Sequence, residues 1–243
     1  MTTAWALYNT FRDPALLAAV RAEVDACTVQ PPTAENPHKL DLDMDALLRQ
    51  PVLQAVYAET LRLRMHFYII RMPDPHSTGS LHGEDGGRPD NDIAFPHGWT
   101  IPRTRQTHII TSTTVAHRDA DAWDSASEKP LDEFWAGRFL RRRRPGSDNL
   151  TASESEAEAE EFTHDGHRDG AWIPYGGGPR ICPGRHFAKR QVLLTVGLMV
   201  GMFDAEMVGD EVELKEDLSL GGFGNGISCP VGPVGVRLRR RVR

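Results

Sequence analysis

Cysteine is scarce in this chain of 243 residues: there are three, Cys27, Cys182 and Cys229, set far apart. An odd, widely spaced set builds no disulfide framework and suits a reducing compartment, so stability has to come from a buried core. An apolar fraction of 40% is enough to supply one. No apolar run is long enough to cross a bilayer; the longest, residues 192–203, has the length of a buried helix. The opening residues MTTAWALYNTF hold no basic stretch leading into an apolar segment and a small-residue cleavage site, so they do not read as a secretory leader, and an intracellular setting is expected. Internal repeats are lacking too. Nor is there an excess of positive charge. The formal net charge of -6 argues against a dedicated nucleic-acid binder, although basic runs at 141–144 and 237–243 stand against acidic stretches elsewhere.

What is present organises the chain. Asp13-Pro14 is a helix start, an N-capping acid followed by proline at the first helical position, and Leu16, Leu17, Val20 and Val24 then recur at helical spacing. The apolar segment before it, residues 5–11, reads as the tail of a longer helix. A second proline-led helix begins at Pro51 and carries Val52, Ala55, Val56, Glu59, Arg62 and Leu63 along one stripe. Residues 67–71 form a β-like run, and the polar, glycine- and proline-rich stretch 73–92 reads as a loop insertion. Strand-like segments resume at 99–102 and 108–115. From 116 to 170 little is periodic; 145–170 reads as a second insertion, and the acidic run 153–161 as a solvated loop or short helix. His164 and His167, with Asp165 and Asp169, fit no compact metal-ligand spacing.

The segment WIPYGGGPRICPGRHFAK, residues 172–189, concentrates the chemistry. Its three glycines permit positive φ and leave no side-chain bulk, so a flat ligand can approach the backbone. Cys182 follows, just before Pro183 and a helix, where the helix dipole and free backbone N–H groups favour thiolate over thiol. For a lone cysteine, a buried structural thiol beside an ordinary turn is the competing reading.

The loop resembles the haem loop of the cytochrome P-450 family, which has an aromatic residue seven before the cysteine, glycine four before, a basic residue two before and glycine two after. Here those positions hold Tyr175, Gly178, Arg180 and Gly184, and Ala188 matches the small residue that packs the following helix near the haem. Tyrosine stands where phenylalanine is usual. Glu59-Thr60-Leu61-Arg62 is similar to the family's Glu-x-x-Arg element, and the run 133–139 resembles the segment whose arginine, here Arg138, completes that network. Ala136-Gly137 replaces the more usual Pro-Glu. Both charges of Glu-x-x-Arg lie on the core-facing stripe, where an unpaired charge would cost several kcal/mol, so they need one another.

The resemblance implies a mainly α fold with small antiparallel β-sheets, a truncated cytochrome P-450 fold spanning the C-terminal half alone. It implies haem (iron protoporphyrin) as cofactor and Cys182 as the iron ligand, with Tyr175, Gly178, Arg180, Ile181, Gly184 and Ala188 against the haem. Arg180 would hold a propionate through its planar fork of donors. Arg71 occupies a position where some members place a second propionate partner, and a solvated strand arginine is an equal alternative. His117-Arg118-Asp119 resembles a structural element preceding the Arg138 segment. The implied reaction inserts one atom of O2 into a hydrophobic small molecule such as a lipid or sterol, with the thiolate donating electron density to the iron. Residues 67–70 and the turn around Phe223 would line the substrate side. Arg185, Lys189 and Arg190 would present a basic face to an electron-donating reductase. The longer parent protein would be held at the endoplasmic reticulum by an N-terminal anchor. Two alternatives stay open: a haem-thiolate isomerase or dehydratase that needs no reductase, and a non-catalytic fragment without haem.

Overall fold

The computed structural model describes residues 1–33, 36, 39–72, 93–94, 98, 100–101, 108–123, 128–142, 160–163, 170–208, 214–217, 219 and 225–241. The chain divides into two compact units, Met1–Phe67 with Thr113–Arg243, and Tyr68–Ser112.

In the larger unit, helix α1 (Thr2–Arg12) and helix α2 (Pro14–Ala26) meet at Asp13, whose carboxylate accepts the N–H groups of Ala15 at 3.0 Å and Leu16 at 3.1 Å. That is the capping the Asp-Pro pair predicts. After the two-stranded ribbon of β1 (Thr28–Gln30) and β2 (Asp41–Leu42) and a single turn, α3 (Met44–Leu47), comes the central helix α4 (Pro51–Arg64). Its capping position is held by Gln50, which makes no side-chain cap. Glu23 of α2 replaces that cap, accepting the N–H of Val52 at 2.7 Å and of Leu53 at 2.8 Å. Burial pushes the Glu23 carboxyl up to about 7 while these two donors pull it down.

The expectation that α4 shows one buried stripe is exceeded: every residue from Val52 to Leu63 except Gln54 is buried. The reason is enclosure, since α1, α2, the final helix and the Arg138 turn all pack on it. A helix walled in on every side has no solvent face to keep polar, so the charges it carries must be paired internally.

Beyond α4, residues Met65 to Phe67, the start of β3 (Met65–Arg71), pair antiparallel with β11 (Asn225–Ile227). The segment expected to be strand through 115 turns helical earlier, as α5 (Thr113–Ala116), because Thr113 Oγ1 donates to the Met65 carbonyl at 2.9 Å and accepts the Phe67 N–H at 3.0 Å. After α6 (Ala120–Trp123), a 3-10 turn (Ala136–Phe139) runs into β7 (Leu140–Arg142), paired with β8 (Glu160–Phe162). Arg141 stands opposite Glu161 and Arg142 opposite Glu160, so the basic run and the end of the acidic run form a ribbon of opposite charge. The last two acids of the expected surface loop are therefore strand. Helix α7 (Arg185–Met202) leads into β9 (Phe203–Val208), paired with β13 (Gly235–Arg240), while β10 (Lys215–Glu216) pairs with β12 (Pro230–Val231). Trp5 Nε1 donates to the Ser228 carbonyl at 2.9 Å and its ring carries the Arg64 guanidinium at 4.0 Å.

In the smaller unit, Tyr68 to Arg71 of β3 pair antiparallel with β6 (Ile109–Ser112), and β4 (Ile93–Ala94) pairs with β5 (Thr100–Ile101). Among the described residues seven α-helices are accompanied by thirteen short strands, all paired antiparallel, so the mainly α expectation is met only in part. The small antiparallel sheets are present as expected. No helix among the described residues is long and apolar enough to cross a membrane.

Candidate functional site

Glu59 lies at the centre of the buried charge. Arg62, one turn on, donates to it from Nε at 2.7 Å and from NH2 at 2.9 Å. Arg138 Nε donates at 3.2 Å and the Trp135 N–H at 3.1 Å, so the carboxylate accepts four hydrogen bonds. Glu59 and Arg62 are fully buried and Arg138 nearly so. The guanidinium hydrogens left over reach carbonyls, those of His117 at 3.0 Å and Leu131 at 2.8 Å for Arg62, and those of Lys129 at 2.7 Å and Pro130 for Arg138. The three residues expected to form a network therefore do so, despite Ala136-Gly137. Gly137 has a physical reason to lack a side chain: a β-carbon there would fall 2.5 Å from the Trp135 ring, on which Arg138 stacks at 5.6 Å.

His117, which carries no role in the sequence expectation beyond its motif, joins this network to the cysteine loop. Fully buried, it has Nδ1 3.1 Å from the Arg62 carbonyl, while Nε2 accepts the Ile173 N–H at 3.0 Å. A carbonyl only accepts, so the proton sits on Nδ1 and the ring is neutral. Burial, then the neighbouring guanidinium groups of Arg62 and Arg118, push its pKa down to about 3, against the Arg62 carbonyl, which pulls it up. Between that value and the ordinary 6.5 the unfolded chain binds a proton that the folded chain refuses, so stability falls as pH falls. Comparing the native chain with His117→Gln isolates this group. The stability advantage of the native chain is expected to shrink by about 2 kcal/mol between pH 7.5 and pH 5 in urea titrations. An advantage that stays constant with pH rules it out.

The cysteine loop sits at the entrance to α7. Gly178 adopts φ +67, a left-handed conformation costly for any residue with a β-carbon, and starts a 3-10 turn (Gly178–Arg180) closed by the Ile181 N–H on the Gly178 carbonyl at 3.1 Å. Cys182 is anchored by its backbone and free at its sulfur. Its N–H donates to the Tyr175 carbonyl at 3.0 Å and its carbonyl accepts from Arg185 NH1 at 3.0 Å, while the side chain is exposed. Gly184 keeps one side of the sulfur clear, since a β-carbon there would stand 3.8 Å from Sγ. Ile181 is exposed beside it, Ala188 is half-buried in the first turn of α7, and Arg180 is exposed with no carboxylate in ion-pair range among the described residues. A free sulfur at a helix entrance, an apolar neighbour, missing β-carbons and an uncommitted guanidinium fit a flat, apolar, carboxylate-bearing iron complex such as haem.

Other expected residues fall elsewhere. Arg71 belongs to the smaller unit, where NH1 donates to the Ile70 carbonyl at 3.0 Å. Of the expected basic face, Arg190 is exposed, but Lys189 turns inward to Gln54 Oε1 at 2.6 Å and burial lowers its pKa. The turn around Phe223, the histidines His164 and His167, residues 73–92 and most of 145–170 lie outside the described residues. A cavity of about 340 Å³ between α1, α7, β9 and β13 is lined almost wholly by apolar side chains, including Leu7, Phe11, Met199 and Met207, and is not lined by any residue of the cysteine loop.

One constellation escaped sequence reasoning. Glu216 accepts from Arg64 NH1 at 3.0 Å and from Ser228, and pairs with His66 Nε2 at 2.6 Å. Burial would raise the Glu216 carboxyl, yet His66, Ser228 and Arg64 hold it down to about 2. Its members come from α4, β3, β10 and the β11–β12 link, and no local spacing announces them.

Comparison with known proteins identifies the family of the chain. The cytochrome P-450 family matches residues 1–228, and this chain belongs to that family. The cytochrome P-450 monooxygenase efuG of Hormonema carpetanum is 36% identical over 248 residues, covering 98% of this chain and 40% of its own length. The monooxygenase fsoE of Humicola fuscoatra is 34% identical, covering 98% and 39%. The human 7-alpha-hydroxycholest-4-en-3-one 12-alpha-hydroxylase is 28% identical over 92% of this chain and 39% of its own length. The chain thus spans about 40% of the length of these curated relatives. Haem is the cofactor of the family.

Proposed function

We propose that this chain is the haem-binding part of a cytochrome P-450 monooxygenase that inserts one oxygen atom of O2 into a hydrophobic small molecule. The observation that carries the proposal is the free Cys182 sulfur, held by backbone bonds on both sides at the entrance to α7. Cys182 is the iron ligand in this reading. Arg180, uncommitted on the same loop, holds a haem carboxylate, while Ile181, Gly178, Gly184 and Ala188 make the apolar, low-relief surface against the ring. Haem with a thiolate ligand supplies O–O cleavage and C–H oxidation. The chain's own residues supply position: Glu59, Arg62 and Arg138 fix α4 to the Arg138 turn, and His117 carries that rigidity to Ile173, nine residues before the cysteine.

The substrate class is lipid, sterol or another hydrophobic secondary metabolite, in keeping with the hydroxycholestenone named for the human relative. Electrons come from a reductase docking near Arg185 and Arg190, in a longer polypeptide held at the endoplasmic reticulum membrane. The test is the difference spectrum of the reduced, haem-reconstituted chain with and without carbon monoxide. A strongly red-shifted Soret band is expected; an unshifted band, or no haem uptake, overturns the proposal.

A further inference from the structure

The polar tips that α4 directs at the cysteine loop have no part in the network around Glu59. Tyr57 is buried, and its hydroxyl is hydrogen-bonded to the hydroxyl of Tyr175. The Tyr175 backbone carbonyl in turn accepts the Cys182 N–H at 3.0 Å. Three residues before Tyr57, hence on the same face of α4, Gln54 accepts Lys189 Nζ of α7 at 2.6 Å. One face of α4 therefore grips the chain on both sides of the cysteine: seven residues before it through Tyr175, and seven after it through Lys189.

A buried phenol needs a partner, because losing water without gaining a hydrogen bond is costly. Phenylalanine at 175 would fill the same volume without making the tie, and would leave the Tyr57 hydroxyl unpaired. The tyrosine at 175 and the tyrosine at 57 thus answer one another, across 118 residues of sequence.

We infer that Tyr57 and Tyr175 are a positioning pair that sets the geometry of Cys182 from α4, and thereby how completely its sulfur serves as a thiolate ligand. This rests on the haem-thiolate reading for its consequence and on the haem-free chain for its geometry, so the two are tested separately. In a Cys229→Ser background Cys182 is the exposed thiol that remains, Cys27 being buried.

Three variants, Tyr57→Phe, Tyr175→Phe and the double Tyr57→Phe/Tyr175→Phe, are compared with the parent by the alkylation rate of Cys182 in the haem-free chain. Urea midpoints, and the share of red-shifted against unshifted band in the reduced carbon monoxide complex, are measured alongside. Each single variant is expected to raise the alkylation rate about 2- to 10-fold, the equivalent of one neutral hydrogen bond, and to move band intensity to the unshifted form. The double variant, with no phenol left unpaired, is expected to regain its urea midpoint while alkylation stays fast. A purely structural role predicts that alkylation recovers together with the midpoint, and that outcome overturns the inference, as do single-variant rates within twofold of the parent. A parent chain without a red-shifted band overturns the ligation reading alone, because alkylation reads the tie without haem.

Discussion

Glu59→Gln is expected to cost about 3–5 kcal/mol of folding stability, the cost of breaking a buried ion pair from one side. The glutamine nearly matches the carboxylate in shape, so the loss is electrical. Arg62 and Arg138 stay behind with two positive charges and no counter-charge, in a place with no exposure to water. The new amide NH2 also faces donors, where the carboxylate accepted the Trp135 N–H and the guanidinium groups. Against a total stability of roughly 5–15 kcal/mol for a typical domain, such a loss leaves the chain near its folding threshold. The measurement is the urea midpoint at neutral pH. A change below about 1 kcal/mol would mean that the network is solvated in solution and does not carry the fold.

Cys182→Ser is expected to do the opposite. Its side chain is exposed, and the ties that hold the residue are made by its backbone N–H and carbonyl, which serine retains. The urea midpoint should therefore move by no more than about 0.5 kcal/mol, while the red-shifted band of the reduced carbon monoxide complex disappears. A serine chain that keeps the red-shifted band would remove Cys182 from the iron. A serine chain that fails to fold would show that the sulfur is a packing element after all.

Much of this was legible because it is local. Asp13-Pro14 caps α2, and Glu59 and Arg62 lie one turn apart on a single helix, so their pairing follows from spacing. The cysteine loop was equally legible, its glycines and cysteine falling within a few residues. Arg138 could be reached only through resemblance, and its neighbour Gly137 makes sense only once the Trp135 ring is seen lying over it. What could not be read are ties between distant residues, which leave no period. The cap on α4 comes from Glu23, the partner of Tyr175 from α4, and the carboxylate for Arg64 from Glu216. Lys189 was expected at the surface because lysine usually is; it bends inward because Gln54 offers an acceptor beside a buried helix.

The bond from the Trp5 indole to the Ser228 carbonyl spans 223 positions of sequence. The indole is therefore made 223 positions ahead of its acceptor, and this tie cannot close until Ser228 has been synthesised. A chain interrupted before residue 228 would hold the Trp5, Tyr8 and Phe11 side chains of α1 without that closure, a surface for chaperones to guard.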